Sequence, residues 1–265
     1  MAEILFERHD GFVTVTLNRP EARNALTAEM VLQFHEFLLS IESDRNVRCV
    51  LLTGRGEHFM AGGDVKSFSE SVELSAEQRR RMFRDRVRAV APLLMTMQRM
   101  PQILVTAVRG ACAGAGLSWV AASDLSIAAR SSFFVLAQVG IGVSPDGSGT
   151  WWLPRVVGLK RAKEFALLGE RFSATDAERF GLVNRVIDDE LFDSTVGSIV
   201  SRLAVGPAVA FANTKRLLNQ SSGMSLAAQL DMEAESFAEC AADADFAEGA
   251  LAFIQKRRPN FGGRP

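Results

Sequence analysis

At 265 residues, with 48% hydrophobic and 23% charged side chains, the chain has the composition of a globular protein with one large core. A formal net charge of −1 gives no reason to expect a polyanionic partner for the whole molecule, and three scattered cysteines (Cys49, Cys112, Cys240) cannot form a disulfide framework, which points to a reducing cytoplasm. The opening MAEILFERHDGF lacks a basic start followed by an apolar run, and no uncharged stretch reaches the ~18 residues of a membrane span, so neither a signal peptide nor a membrane partner is expected.

Phe12-Val13-Thr14-Val15-Thr16-Leu17 is rich in β-branched residues and runs into Asn18-Arg19-Pro20, which predicts a strand and a turn. Thr27 is placed to cap a helix that carries Val31, Phe34, Leu38 and Ile41 on one face. A second strand is predicted over 47–53, and beyond Gly54-Arg55-Gly56 comes the glycine turn Ala61-Gly62-Gly63-Asp64. Residues 65–74 are polar and aperiodic, a mobile loop by expectation, and Ser75-Ala76-Glu77-Gln78 is a capping box opening a helix to about Met100.

Pro101 precedes a predicted strand over 103–108, a second glycine turn (Gly110-Ala111-Cys112-Ala113-Gly114-Ala115-Gly116), an apolar helix over 115–122 and a short strand over 124–129. A loop over 140–149 leads into helices predicted over 150–157, 159–168, 173–180, 189–204, 207–219 and 226–255, with one strand, 182–187, among them. Strands alternating with helices imply an α/β core with largely parallel pairing, here residues 1–190. Residues 191–265 form a helical region whose apolar faces are suited to burial against a partner subunit.

The two glycine turns are the most informative chemistry in the chain. Each follows a β-like run and leads towards a helix, so each presents backbone N–H groups at a place where a ligand can approach the main chain closely. Two such turns converging would stabilise a developing oxyanion.

Asn18-Arg19-Pro20-Glu21-Ala22-Arg23-Asn24-Ala25-Leu26, Phe59-Met60-Ala61-Gly62-Gly63-Asp64 and the 110–116 turn together resemble the crotonase superfamily, the enoyl-CoA hydratase/isomerase group. The resemblance continues through Gly142-Val143-Ser144-Pro145-Asp146-Gly147-Ser148-Gly149-Thr150, Leu153-Pro154-Arg155, Ser173-Ala174, Gly181-Leu182-Val183 and the C-terminal Phe253…Lys256-Arg257-Arg258-Pro259. It implies an α/β spiral of ββα units with C-terminal helices that build homotrimers, often paired into hexamers. It also implies an acyl-coenzyme A thioester substrate, with coenzyme A part of the substrate and no separate cofactor.

On this resemblance the thioester oxygen lies between the N–H groups of Gly63 and Ala115. Ala22, Arg23, Ala61, Asp64, Ser118 and Gln138 fall at substrate-binding positions, Phe68 is a candidate pocket lid, and Lys256 is a candidate contact for the nucleotide phosphates.

Hydratases of this group resemble one another in carrying two glutamates that position and deprotonate a water; Ser118 and Gln138 occupy those positions here. Neither a hydroxyl nor an amide titrates near neutral pH. Asp146 does match a family position: in dienoyl-CoA isomerases and the epoxyphenylacetyl-CoA isomerase group a similar aspartate takes a proton from one carbon and returns it at another. 4-Chlorobenzoyl-CoA dehalogenases put a nucleophilic aspartate there, but with a tryptophan where this chain has Gln138.

The expectation is therefore an isomerase with Asp146 as acid/base. The alternatives are a hydratase whose water is held by Ser118, Gln138 and Asp146, and a non-catalytic acyl-CoA- or RNA-binding member. Six arginines between Arg79 and Arg88 crowd one helix, read as a solvated or subunit-facing surface, which does not raise nucleic acid to an expected partner. His9, His35 and His58 share no ligand spacing, so no metal is expected, and there is no dinucleotide or Walker motif. Trp151 and Trp152 read as core residues, with an acyl-pocket lining as the alternative.

Overall fold

A computed structural model describes residues 2–64, 66–69 and 71–263, with the side chains of residues 66, 67 and 263 excepted. The chain opens with an antiparallel hairpin of β1 (Ile4–Arg8) and β2 (Phe12–Leu17), in which Val13, Val15 and Leu17 turn inward and the intervening residues do not. Helix α1 (Ala28–Ile41) follows, capped by Thr27, whose side chain accepts from the Met30 N–H, and buries Met30, Val31, Phe34, Leu38 and Ile41. Next come β3 (Cys49–Gly54), the short α2 (Lys66–Ser69) and the long α3 (Ala76–Arg99), where both hydrogen bonds of the Ser75/Gln78 capping box are formed.

Then follow β4 (Ile103–Val108), β5 (Ala111–Ala113), α4 (Ala115–Ala122), β6 (Leu125–Ala129) and β7 (Phe133–Val135). After them run α5 (Gly149–Val156), α6 (Leu159–Leu168), β8 (Phe172–Ser173), α7 (Ala174–Arg179) and β9 (Arg185–Ile187). Four helices complete the chain: α8 (Phe192–Ala204), α9 (Ala208–Ser221), α10 (Leu226–Ala242) and α11 (Ala244–Ile254).

The main sheet has the order β1-β2-β3-β4-β6-β9, parallel from β2 onwards; a smaller sheet, β5-β7-β8, pairs β5 with β7 in parallel and β7 with β8 antiparallel. One face of the main sheet is covered by α1, α3 and α4 around Phe34, Trp119, Phe59 and Leu93. The other face is covered by α8, whose Phe192, Val196 and Val200 pack on Cys49, Val105, Ile127 and Ala129. A parallel sheet buried on both faces accounts for the largely apolar β4 and β6, interrupted only by the buried Thr106 and Ser126, whose hydroxyls bond each other at 2.8 Å. Among the described residues no single helix is long and apolar enough to cross a membrane.

Several elements depart from expectation. β1 carries no strand signal in the sequence, since Ile-Leu-Phe-Glu-Arg has no period-two alternation; as an edge strand its charged end faces water. β5 and β7 have three residues each, too few to show a period. The 182–187 segment is strand only over Arg185–Ile187, since the N–H groups of Leu182 and Val183 close onto Ala177 O at the end of α7.

The single helix expected over 226–255 is two. Asp243 adopts an extended conformation and its side chain accepts from Asp245 N–H, capping α11 and ending α10. The loop expected over 65–74 contains α2 and turns closed by Ser71, Val72 and Leu74 N–H groups, while residues 65 and 70 lie outside the described residues.

Candidate active site

The two glycine turns meet through one rung of backbone pairing. Met60 N–H donates to Ala111 O (3.1 Å) and Met60 O accepts from Ala113 N–H (2.8 Å), an isolated parallel bridge between Met60 and Cys112. A second bridge joins Leu26 to Gly63: Leu26 N–H reaches Gly62 O (2.8 Å) and Leu26 O accepts from Asp64 N–H (3.1 Å). In a parallel bridge the residue between those two bonds turns its own N–H to the opposite side, so Gly63 presents its N–H away from Leu26. Ala115 is the first residue of α4, where an N–H has no intrahelical acceptor and the helix dipole favours negative charge.

Glycine is required where the turns touch. Gly62 (φ 97°) and Gly114 (φ 51°) both lie in the left-handed region that favours glycine, and they adjoin each other, since a Cβ on Gly114 would meet Gly62 Cα at 3.5 Å, an ordinary packing contact. Gly116 packs on the rung itself, for a Cβ there would stand 2.9 Å from Met60 O. Cys112 is fully buried, and that burial pushes its thiol well above the ordinary range, so it serves as packing rather than as a nucleophile. His58 Nδ1 accepts from Ala111 N–H at 3.2 Å, which fixes its remaining ring proton on Nε2 when neutral.

The first turn is held from behind by the 19–26 segment. Asn24, fully buried at φ 56°, donates to Arg55 O (3.1 Å) and His58 O (2.7 Å) and accepts from Arg19 N–H (2.9 Å). Arg19 bonds Ala25 O (2.7 Å) and pairs with Asp64 (3.0 Å) and Glu3 (3.2 Å). Ala61 N–H donates to Arg23 O (3.0 Å), so Ala22, Arg23, Ala61 and Asp64 border the same turn. Arg19 and Asn24 stand inside a motif singled out from the sequence, but nothing in the linear pattern reveals that their side chains turn inward.

The Asp146 loop closes over the second turn. A Cβ on Gly147 would stand 3.4 Å from Ser118 Cβ and 3.7 Å from Ala115 Cα, which places the loop directly on the start of α4. Gly147 (φ 63°) and Ser148 (φ 69°) are consecutive left-handed residues that turn the chain sharply into α5. Ser118 Oγ donates to the Asp146 carbonyl at 2.9 Å, and Gln138 Nε2 donates to Asp146 Oδ1 at 3.2 Å. Ser118 and Gln138 are both buried, and they hold the main chain and the side chain of Asp146 respectively.

Two further expected site residues make their described contacts with other elements. Phe68, on α2, meets Phe83 edge-on at 4.9 Å and lies under the Arg86 guanidinium at 4.8 Å, so it joins α2 to the arginine-rich part of α3. Lys256 ends α11 in a left-handed conformation (φ 53°), and α11 packs on α10 and the 261–263 turn. Trp152 packs against the core, whereas Trp151 is half exposed and stacks with Arg155 at 3.5 Å. Among the described residues no three His, Cys, Asp or Glu side chains are grouped as metal ligands.

This arrangement is similar to known proteins over nearly its whole length. Residues 7–264 match the family described as enoyl-CoA hydratase/isomerase. The chain is 37% identical to the 1,2-epoxyphenylacetyl-CoA isomerase of Escherichia coli (strain K12), with 100% of each covered. It is 38% identical to a Rhodobacter capsulatus protein named as a probable enoyl-CoA hydratase, with 98% of each covered. The crystal structure of an enoyl-CoA hydratase from Bacillus anthracis superposes with a TM-score of 0.90 at 29% identity, covering 99% of this chain and 100% of that one.

Proposed function

Because the chain belongs to the enoyl-CoA hydratase/isomerase family and has its crotonase fold, we propose that it isomerises a double bond in an acyl-coenzyme A thioester, with Asp146 as the single acid/base. Removing a proton next to the thioester carbonyl puts negative charge on the thioester oxygen. The Gly63 and Ala115 N–H groups, fixed relative to each other by the Met60–Cys112 rung, are suited to hold that oxygen; one such donor is typically worth ~3–4 kcal/mol of barrier. Ala22, Arg23, Ala61 and Asp64 flank the coenzyme A end of the substrate in this reading, Phe68 borders the acyl end, and Lys256 meets a phosphate. Coenzyme A arrives as part of the substrate, and the reaction calls for no further cofactor.

The carrying observation is the pairing around Asp146. At the positions where hydratases resembling this chain have glutamates, Ser118 is spent on main-chain oxygens and Gln138 on the Asp146 carboxylate. That leaves one titratable group in the cluster. One base suffices for a double-bond shift, because the proton it takes can be returned at the conjugate carbon. Hydration needs a second group to orient a water.

The decisive experiment is Asp146→Asn assayed with 3-enoyl- and dienoyl-CoA substrates. Turnover should fall by roughly 10²–10⁴-fold, and unchanged turnover overturns the assignment. A hydratase is the second reading, favoured by the 38% identity to the Rhodobacter capsulatus protein. Water addition to crotonyl-CoA that collapses in Gln138→Ala would establish it instead.

The same reading extends to assembly and location. Leu226, Leu230, Phe237, Phe246, Phe253 and Ile254 are exposed on the last two helices of the isolated chain, an apolar surface suited to a homotrimer or a pair of trimers in the cytoplasm. Light scattering at micromolar concentration should return three or six chains per particle, and a monomer would refute this.

A further inference from the structure

The amide of Gln138 has two ends, and only one of them is used. Nε2 donates to Asp146 Oδ1 at 3.2 Å, while Oε1 is buried without a donor among the described residues. The residue is only 9% exposed. The orientation follows from chemistry: an ionised carboxylate accepts and cannot donate, so the NH₂ end must face it. Nearby donors are already spent, Gly114 N–H on Val135 O, Val143 N–H on the Gln138 backbone carbonyl, and Ser118 Oγ on Asp146 O. A buried carbonyl oxygen left in this state is an exception that asks for a cause.

We propose that Gln138 is a positioning residue that pairs with Asp146 in both of its protonation states and so keeps the abstracted proton on the enzyme between the two halves of the reaction. The inference rests on the reading of Asp146 as the acid/base. A carboxylic acid and a primary amide are complementary, each with one donor and one acceptor directed at the other. The ionised carboxylate takes only the N–H half of that pair. Once Asp146 is protonated, its O–H supplies the donor that Gln138 Oε1 lacks.

The steps balance without a further reactant. The C–H bond next to the thioester carbonyl breaks and its proton forms an O–H bond on Asp146. The electron pair moves into the conjugated enolate, whose oxygen lies between Gly63 and Ala115. The O–H then protonates the far carbon, the thioester carbonyl re-forms, and Asp146 is ionised again. In between, the O–H is bonded to Gln138 rather than to water, so it exchanges slowly with solvent. A glutamate in place of Gln138 would be acceptor-only when ionised and could not make the first bond.

Isotope transfer tests this. A 3-enoyl-CoA carrying deuterium at C2 is turned over in ordinary water and the product is analysed for deuterium at C4. The wild-type enzyme should return a measurable share of the label. Gln138→Met, similar in length but without donor or acceptor, should keep slowed turnover, with kcat down roughly tenfold to a hundredfold, and lose nearly all of the transferred label.

Gln138→Asn keeps the amide but shortens its reach, and should behave in the same way if the methionine variant fails to fold. Complete washout of label in the wild-type enzyme, as would follow if Gln138 Oε1 instead held a water against Asp146, overturns the proposal. So does equal label retention in the variants. Asp146→Asn with normal turnover sinks the underlying acid/base assignment instead, so the two failures are distinguishable.

Discussion

Met60 and Cys112 face each other across a single parallel rung, and from it the chain runs three residues in each direction of the same sense to Gly63 and Ala115. The two turns, 52 residues apart in sequence, are joined by the two backbone bonds of this rung together with Phe59 N–H to Arg109 O at 2.8 Å and Ala111 N–H to His58 Nδ1 at 3.2 Å.

Gly116→Ala tests that junction. Inside a helix, alanine is favoured over glycine by roughly 0.5–1 kcal/mol. Here, however, the new methyl would stand 2.9 Å from Met60 O and 3.0 Å from Met60 Cβ, so the rung must shift. Thermal melting should move by only a few degrees, because the two effects oppose each other. If the Gly63 and Ala115 N–H groups hold the thioester oxygen as proposed, the rate constant kcat should fall by roughly 10²-fold. Steady-state kinetics beside a melting curve separates the two.

Asn24→Ala strikes the support behind the first turn. It removes three hydrogen bonds at a fully buried residue and leaves Arg55 O and His58 O without their side-chain donor. It also puts alanine at φ 56°, a conformation asparagine tolerates better. Urea denaturation should report a loss of ~2–4 kcal/mol. Arg19→Met, which removes the 3.0 Å ion pair to Asp64, should instead raise KM with a smaller effect on stability.

Much of this was legible in the sequence where the signal is local. Thr27 and Ser75 with Gln78 announce helix starts by side-chain chemistry, and both caps are formed. The glycine turns are legible because φ > 0 and close backbone approach both exclude a Cβ. What stayed hidden depends on distant partners. β5 and β7 become strands only through pairing with distant partners, with each other and, for β7, with β8, and Asn24 reads as one more turn residue until His58 is brought beside it. The bond from Gln138 to Asp146 spans the 137–141 helical turn and the loop after it, and no periodicity encodes such a contact.

Lys215 and Asp124 form a buried ion pair at 2.8 Å that fastens α9 to the sheet, with Lys215 Nζ also donating to Met97 O and Gln102 O. Burial raises the Asp124 carboxyl above its ordinary value against the pull of Lys215, and lowers the Lys215 amine against the pull of Asp124. Lys215→Met therefore leaves a buried carboxylate without a counter-charge and should cost ~3–5 kcal/mol at neutral pH. Since the folded state then binds the proton more tightly than the unfolded one, stability of this variant should fall as pH rises from 5 to 8. Urea melts across that range check the slope, and Asp124→Asn combined with Lys215→Met should recover most of the loss.

Glu248 governs the segment after Lys256. Its carboxylate accepts from Arg257 Nη1 (2.6 Å) and Nη2 (2.8 Å) and from Asn260 N–H (2.6 Å), and these bonds, Arg257 first, hold it down to about 2. A depressed carboxyl contributes stability above its ordinary value near 4.5 and loses it as pH falls towards about 2. The Asn260 amide should therefore be protected from hydrogen exchange at neutral pH and lose that protection through the acid range. Buried sheet amides such as Val105 serve as the control for global unfolding. Glu248→Gln should release the Asn260 amide already at pH 7. If Lys256 meets a phosphate of coenzyme A as proposed, the same variant should raise KM for acyl-CoA substrates while leaving kcat unchanged, because the loosened segment contributes to binding alone.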